Sequence, residues 1–334
     1  MTSLRASLFA LFILGCGGSP APAPAPMTGG GAGSTGSGGG TGGGTGGGGS
    51  WLTTKSGAVW SSPDGVSFAS RGRPTDANLL ALVCVNHNDG WAAGTAGTII
   101  GTHDGGAHWL VEPTNVDGTL RAIAFADPRL GLAVGDGGLV LRTTDGGDSW
   151  SRIATNSSID LYGVAISRVD GQAWIVGADG VLLRSTDRGL SFAAPATIAT
   201  QTLRAVRVTD SGLGLAAGDG GVLVFTRDGA HWSELGANLP VDLNGLSLSD
   251  DGQRALVVGA AGHIWRSVDA AVTWTRVDTG DSRALSSIGF SDEVAGRGWA
   301  VGEHGALLIT NDDGASFAAL ATPADVDFTA VEDL

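Results

Sequence analysis

Beyond residue 51 the chain repeats one order of apolar and polar positions. Each unit opens on Leu, a variable residue, a small residue and an apolar one, as in Leu120-Arg121-Ala122-Ile123, Leu161-Tyr162-Gly163-Val164 and Leu203-Arg204-Ala205-Val206. A second apolar run follows, Leu132-Ala133-Val134 or Trp174-Ile175-Val176, and enters a Gly-x-x-Gly turn such as Gly135 to Gly138 or Gly177 to Gly180. Glycine there is expected to supply positive φ at no steric cost, as a two-residue hairpin requires. A third β-rich run, Leu139-Val140-Leu141-Arg142 or Val181-Leu182-Leu183-Arg184, leads into Ser/Thr-x-Asp-x-Gly closing on an aromatic residue.

The closing aromatics stand at 68, 109, 150, 192, 232, 274 and 317, at intervals of 41, 41, 42, 40, 42 and 43 residues. A unit of that length with four short strands and turn-rich joints is one propeller blade. The ends of the repeat decide the blade count. Trp51-Leu52-Thr53-Thr54 aligns with second strands, whereas Phe328-Thr329-Ala330-Val331 aligns with first strands. The last strand is therefore expected to pair into the blade that residues 51–72 begin, closing the ring and removing its free edges. The fold class is all-β: a seven-bladed propeller of four-stranded blades over residues 51–334.

The first fifty residues follow a different rule. Residues 1–16 carry Arg5, an apolar run from Ala6 to Leu14, and Gly15-Cys16, a pattern that reads as an export signal too short to span a membrane. Ile13-Leu14-Gly15-Cys16 resembles the bacterial lipoprotein cleavage box, which implies acylation at Cys16 and a lipid-anchored location in the bacterial cell envelope, at the outer membrane or facing the periplasm; the alternative is ordinary secretion with Cys16 incidental. Residues 17–50 alternate Pro with Ala, then turn almost wholly to Gly, Ser and Thr; such a segment is expected to act as a flexible tether.

Composition sharpens this picture. Of 57 glycines, 18 lie in residues 1–50 and 39 in the repeats, so signal and tether hold less than a third of them. A net charge of −14 argues against nucleic-acid partners, which need surplus Lys and Arg. Two cysteines cannot build a disulfide framework or a thiolate metal cluster. No cofactor or metal is expected. Cys84 falls where other first strands carry Phe125, Ile166 and Val208, and reads as a buried, inert thiol.

The Ser/Thr-x-Asp-x-Gly-x-x-aromatic box resembles that of Asp-box (BNR) repeat proteins. The longer unit, best seen from Gly298 to Gly314, resembles the photosystem II stability/assembly factor family. The resemblance covers residues 51–334 and implies a seven-bladed propeller with an assembly role. Asp64, Asp104, Asp145, Asp187, Asp228, Asp269 and Asp312 are expected to be turn staples rather than catalytic acids or metal ligands, because one per blade places them round the perimeter.

A ligand site is expected near the axis. The second position of each first strand reads Leu80, Arg121, Tyr162, Arg204, Asn244, Ser286 and Thr329, largely polar in otherwise apolar strands. These should ring the channel mouth on the Gly-x-x-Gly face, amid an acidic rim of Asp136, Asp179, Asp219 and Glu303 beside His304. The expected occupant is a protein or glycan, with the membrane reached through the lipid anchor alone and the chain a monomer. A carbohydrate-active hydrolase, sialidase-like or a related Asp-box glycosidase, is the alternative to a non-enzymatic binding or assembly module. Against it, the third arginine and the tyrosine-partner glutamate of sialidases have no counterpart here.

Overall fold

A computed structural model describes residues 49–333 except 238, 292 and 323–325. Signal segment 1–16 with Cys16, and the tether up to residue 48, lie outside the described residues. Seven four-stranded antiparallel sheets make up the described part, ordered inner, second, third and outer strand. Blade 1 combines Phe328–Asp333 with Ser50–Thr54, Val59–Ser62 and Ala69–Gly72, so the last strand does close the ring. Its first strand in sequence starts at Ser50, whose hydroxyl donates to Asp333 Oδ1 at 2.8 Å. The inner strands of blades 2 to 7 are Leu79–Cys84, Leu120–Phe125, Leu161–Ile166, Leu203–Val208, Leu243–Leu248 and Leu285–Phe290.

Each sheet is covered on both faces by its neighbours, which explains the near-continuous apolar runs. Second strands such as Gly131–Gly135 are buried at every residue, while outer strands such as Ser151–Arg152 are exposed. The apolar core is correspondingly divided into seven clusters, one per junction between blades. At the closing junction Leu52, Trp60 and Phe328 of blade 1 meet Trp299, Val301 and Leu307 of blade 7.

The Gly-x-x-Gly turns differ from expectation in their first glycine. Gly135 and Gly218 have extended backbone, with φ near −172° and −170°. Left-handed φ falls instead on the second glycine and the residue before it, including Ala96, Asp179, Ala261 and His304. The first glycine is required by close approach: a Cβ on Gly135 or Gly218 would lie 1.9 Å from the carbonyl oxygen of Thr119 or Thr202, where the link into the blade passes.

Tryptophans tie adjacent blades together. Trp91, Trp174 and Trp299 on second strands donate their indole N–H to the box carbonyls of Gly146, Gly229 and Gly65 in the next blade, at 3.0, 2.6 and 2.7 Å.

Candidate functional site

Every inner strand shifts register after its first residue, so its second residue has no partner on the neighbouring strand. A bulge of this kind re-aims one side chain without ending the strand. The skipped residues are Leu80, Arg121, Tyr162, Arg204, Asn244, Ser286 and Thr329, the seven positions singled out in the sequence.

Three of them form one unit on blades 3 to 5. The Arg121 guanidinium lies 5.0 Å from the centroid of the Tyr162 ring, and that of Arg204 lies 5.7 Å from it. Each arginine is held by the turn of its own blade. Arg121 Nε donates to Asp136 Oδ1, Arg204 Nε to Asp219 Oδ1, and Arg204 Nη2 to Asp219 Oδ2 at 3.2 Å. The bond to Asp219 raises the already high pKa of Arg204, outweighing partial burial. All three ring residues remain half-buried, so the cationic faces stay within reach of a ligand. Guanidinium groups over an aromatic ring offer both charge and a flat apolar contact.

The other rim residues stand apart from this unit. Asn244 Nδ2 donates to the Leu285 carbonyl at 2.9 Å, and Thr329 Oγ1 lies 3.0 Å from Thr53 Oγ1. Asp179 is exposed at the tip of the blade 4 turn. Glu303, on blade 7, is 3.8 Å from Lys55, which also reaches Asp327 at 3.1 Å. The His304 backbone N–H donates to Asp327 Oδ1 at 2.9 Å, and its carbonyl accepts from Arg283 Nη1 at 2.8 Å. Asp160 and Asp242 likewise accept from the backbone N–H groups of Gly137 and Gly220 in the preceding blade, both at 2.8 Å. The acidic rim is thus largely committed to pairing arginines and pinning turns.

The Asp boxes lie on the opposite face, beside the links between inner and second strands. In blade 3, Asp145 accepts from Thr143 Oγ1 at 2.7 Å, Ser149 N at 3.0 Å and Ser149 Oγ at 2.5 Å. The same bonds recur at Asp187, Asp269 and Asp312. Hydroxyl donors, with the backbone N–H groups, hold these four carboxyls down to about 2. At Asp228 the His231 side chain leads, at Asp64 the Ser67 backbone N–H, and both carboxyls also lie far below the ordinary range. Asp104 accepts from Thr102 Oγ1 and His108 N, both at 2.9 Å. Cys84 is half-buried at this end of the axis rather than fully enclosed. Burial, with Glu332 and Asp333 nearby, pushes its thiol pKa well up and leaves it a poor nucleophile.

Glu112 escaped the reading of the sequence, although its signal was present. It occupies the outer-strand position that carries Ile153, Leu235, Val277 and Leu320 in other blades, and Gly101 beside it replaces Arg142, Arg184 and Arg266. The missing side chain at Gly101, together with Gly147 of the next blade, makes room for the carboxyl, which accepts from Trp150 Nε1 at 2.9 Å. Burial pushes this carboxyl up to about 7 against the pull of Trp150, Trp91 and His103. A carboxyl raised in the folded state contributes stability below its unfolded value near 4.5, and that contribution is lost as pH rises through 7. Glu112→Gln is therefore expected to remove part of the fall in melting temperature between pH 4.5 and 7. Parallel slopes for the two proteins across that window would contradict this.

Fold and boxes together define an Asp-box repeat propeller of seven blades. The family model described as photosynthesis system II assembly factor YCF48 matches residues 60–158 and 111–194. Among solved structures, YCF48 bound to D1 peptide is similar at 19% identity with a TM-score of 0.64, covering 78% of this chain and 89% of that one. YCF48 from Cyanidioschyzon merolae is similar at 17% identity and a TM-score of 0.59, over 76% and 88% of the two chains. U3-55K, at 13% identity, has a TM-score of 0.65 over 78% and 86%. Likeness at these identities is likeness of fold. No curated protein matches the sequence. The chain resembles the photosystem II assembly factor family, which is named for assembly rather than for a reaction, in agreement with the expectation that it is not an enzyme.

Proposed function

We propose that this chain is a non-enzymatic binding module whose Gly-x-x-Gly face takes a segment of a partner protein. The observation that carries this reading is the Arg121–Tyr162–Arg204 unit, three bulge residues from successive blades gathered at one mouth of the axis. Guanidinium groups already paired with Asp136 and Asp219 are fixed in place, so little side-chain freedom remains to be lost on binding. A structure of similar fold, YCF48, is seen with a D1 peptide, which supports a peptide as the kind of ligand. On this reading the lipoprotein-like segment ending at Cys16 and the tether display the propeller outside the cytoplasm.

Cross-linking and pull-down with the full chain from its own membranes test the proposal. The native protein is expected to retain a protein partner, and Arg121→Ala with Arg204→Ala to lower its yield about tenfold, the loss of roughly 1.4 kcal/mol. In the same cells Cys16→Ser should move the protein from the membrane to the soluble fraction. Equal recovery by the double variant sinks the site. Glycan turnover that depends on Asp219, with no partner recovered, supports the hydrolase instead.

A further inference from the structure

At the outer rim, blade 2 and the box turn of blade 3 enclose a pocket of about 330 Å³, at the small end of the range that small-molecule sites occupy. It exists because blade 2 inverts the polarity of its outer strand. After the closing aromatic, blades 3, 5 and 6 continue Ser151-Arg152-Ile153, Ser233-Glu234-Leu235 and Thr275-Arg276-Val277, polar residues followed by an apolar one; blade 2 reads Leu110-Val111-Glu112. Leu110 and Val111, 69% and 61% exposed, line the pocket with Pro113, so its open surface is mainly apolar.

The carboxyl of Glu112 sits in the gap that two glycines leave. A Cβ on Gly101 or on Gly147 would lie 2.1 Å from one of its oxygens, and Trp150 Nε1 fixes the group by donating to Oε2. The charges around it are of one sign. Among the described residues, no Lys or Arg lines the pocket. Its two histidines are each engaged by a carboxylate, His103 Nδ1 with Asp89 Oδ1 and His108 Nδ1 with Asp104 Oδ2, both at 2.7 Å. Asp148 adds its repulsion to the burial that pushes the Glu112 carboxyl up to about 7, and a cation beside the two relieves both effects. A bare inorganic cation gains nothing from the apolar walls, and a neutral apolar molecule leaves the carboxylates unmatched.

We propose that this pocket binds a small primary alkylammonium ion. Its ammonium group donates to the Glu112 carboxylate with Asp148 beside it, and its alkyl stem lies on Leu110, Val111 and Pro113. The charge-assisted hydrogen bond sets the orientation, and the stem covers apolar side chains that water otherwise wets.

Calorimetric titration of the full chain with n-hexylamine tests this, beside n-hexanol, which lacks the charge, and methylamine, which lacks the stem. n-Hexylamine is expected to bind saturably and both analogues about tenfold more weakly or worse. Glu112→Gln should weaken n-hexylamine about tenfold and leave n-hexanol unchanged. Leu110→Ser, at an exposed position with little risk to folding, should also weaken n-hexylamine severalfold. A lysine side chain of a partner protein carries the same chemistry, so Nα-acetyl-L-lysine N-methylamide is the further probe; tighter binding of it than of n-hexylamine assigns the pocket to a protein and overturns the proposal. No saturable heat with n-hexylamine, or equal affinity for n-hexylamine and n-hexanol, overturns it as well. Arg121→Ala should leave n-hexylamine binding unchanged, so this pocket and the site on the Gly-x-x-Gly face stand or fall separately.

Discussion

A chain stopped after Asp327 is expected to lose cooperative folding. Phe328–Asp333 is the inner strand of blade 1, and its removal uncovers the whole edge of Ser50–Thr54. Phe328 and Val331, 0% and 1% exposed, leave the core between blades 7 and 1, and Ala330 leaves the core between blades 1 and 2. Ser50 and Thr53 lose their hydrogen-bond partners Asp333 and Thr329 as well. Burying two large apolar side chains is worth several kcal/mol by itself, at about 2–5 kcal/mol each, and an open ring adds an unpaired edge that invites association. Far-UV circular dichroism during heating should show no sharp transition, with the truncated chain recovered as aggregate. A sharp transition within a few degrees of the full chain would show that strand closure is dispensable.

Among single substitutions, Trp299→Ala should cause one of the largest losses of stability. The ring is 1% exposed, fills the junction between blades 7 and 1, and donates to the Gly65 carbonyl at 2.7 Å. Gly65 has a left-handed φ of 69°, and a Cβ there would lie 2.6 Å from Trp299 Cζ2, so ring and turn are fitted to one another. Truncating a buried aromatic costs about 3–5 kcal/mol, which at a few degrees per kcal/mol lowers the melting temperature by about 10 °C. Trp274→Ala offers the comparison. That ring is only half-buried, and its N–H donates within its own box to Ala271 at 3.2 Å, so a smaller fall is expected. Equal losses at the two positions would show that the bond between blades adds nothing.

Blade number, strand order and the closing strand were legible because each rests on residues that recur in register along one chain. Leu120, Leu161 and Leu203 announce inner strands whatever lies around them in space. The polar second residues of those strands were legible as a set, since Arg121, Tyr162 and Arg204 break an otherwise apolar pattern. What the pattern does not carry is distance between blades. The approach of Thr119 to Gly135, the pairing of Arg121 with Asp136, and the meeting of Arg121 and Arg204 at the Tyr162 ring all depend on how tightly seven sheets crowd one another. Glu112 is an intermediate case. Comparing it with Ile153 and Leu235 exposes the exception, yet only the neighbouring blade, with Gly147 and Trp150, shows what the exception serves.

The direction of the strand from Ser50 to Thr54 has a practical consequence. Ser50 pairs with Asp333 beside the Asp boxes and Thr54 with Phe328 beside the Gly-x-x-Gly turns, so residues 49 and 333 are both on the side away from Arg121. A bead, surface or fused domain attached through either of these positions leaves the arginine side clear for incoming molecules. The same attachment crowds the opposite mouth, where Cys84 lies, and immobilised protein should therefore report on one mouth of the axis more faithfully than on the other.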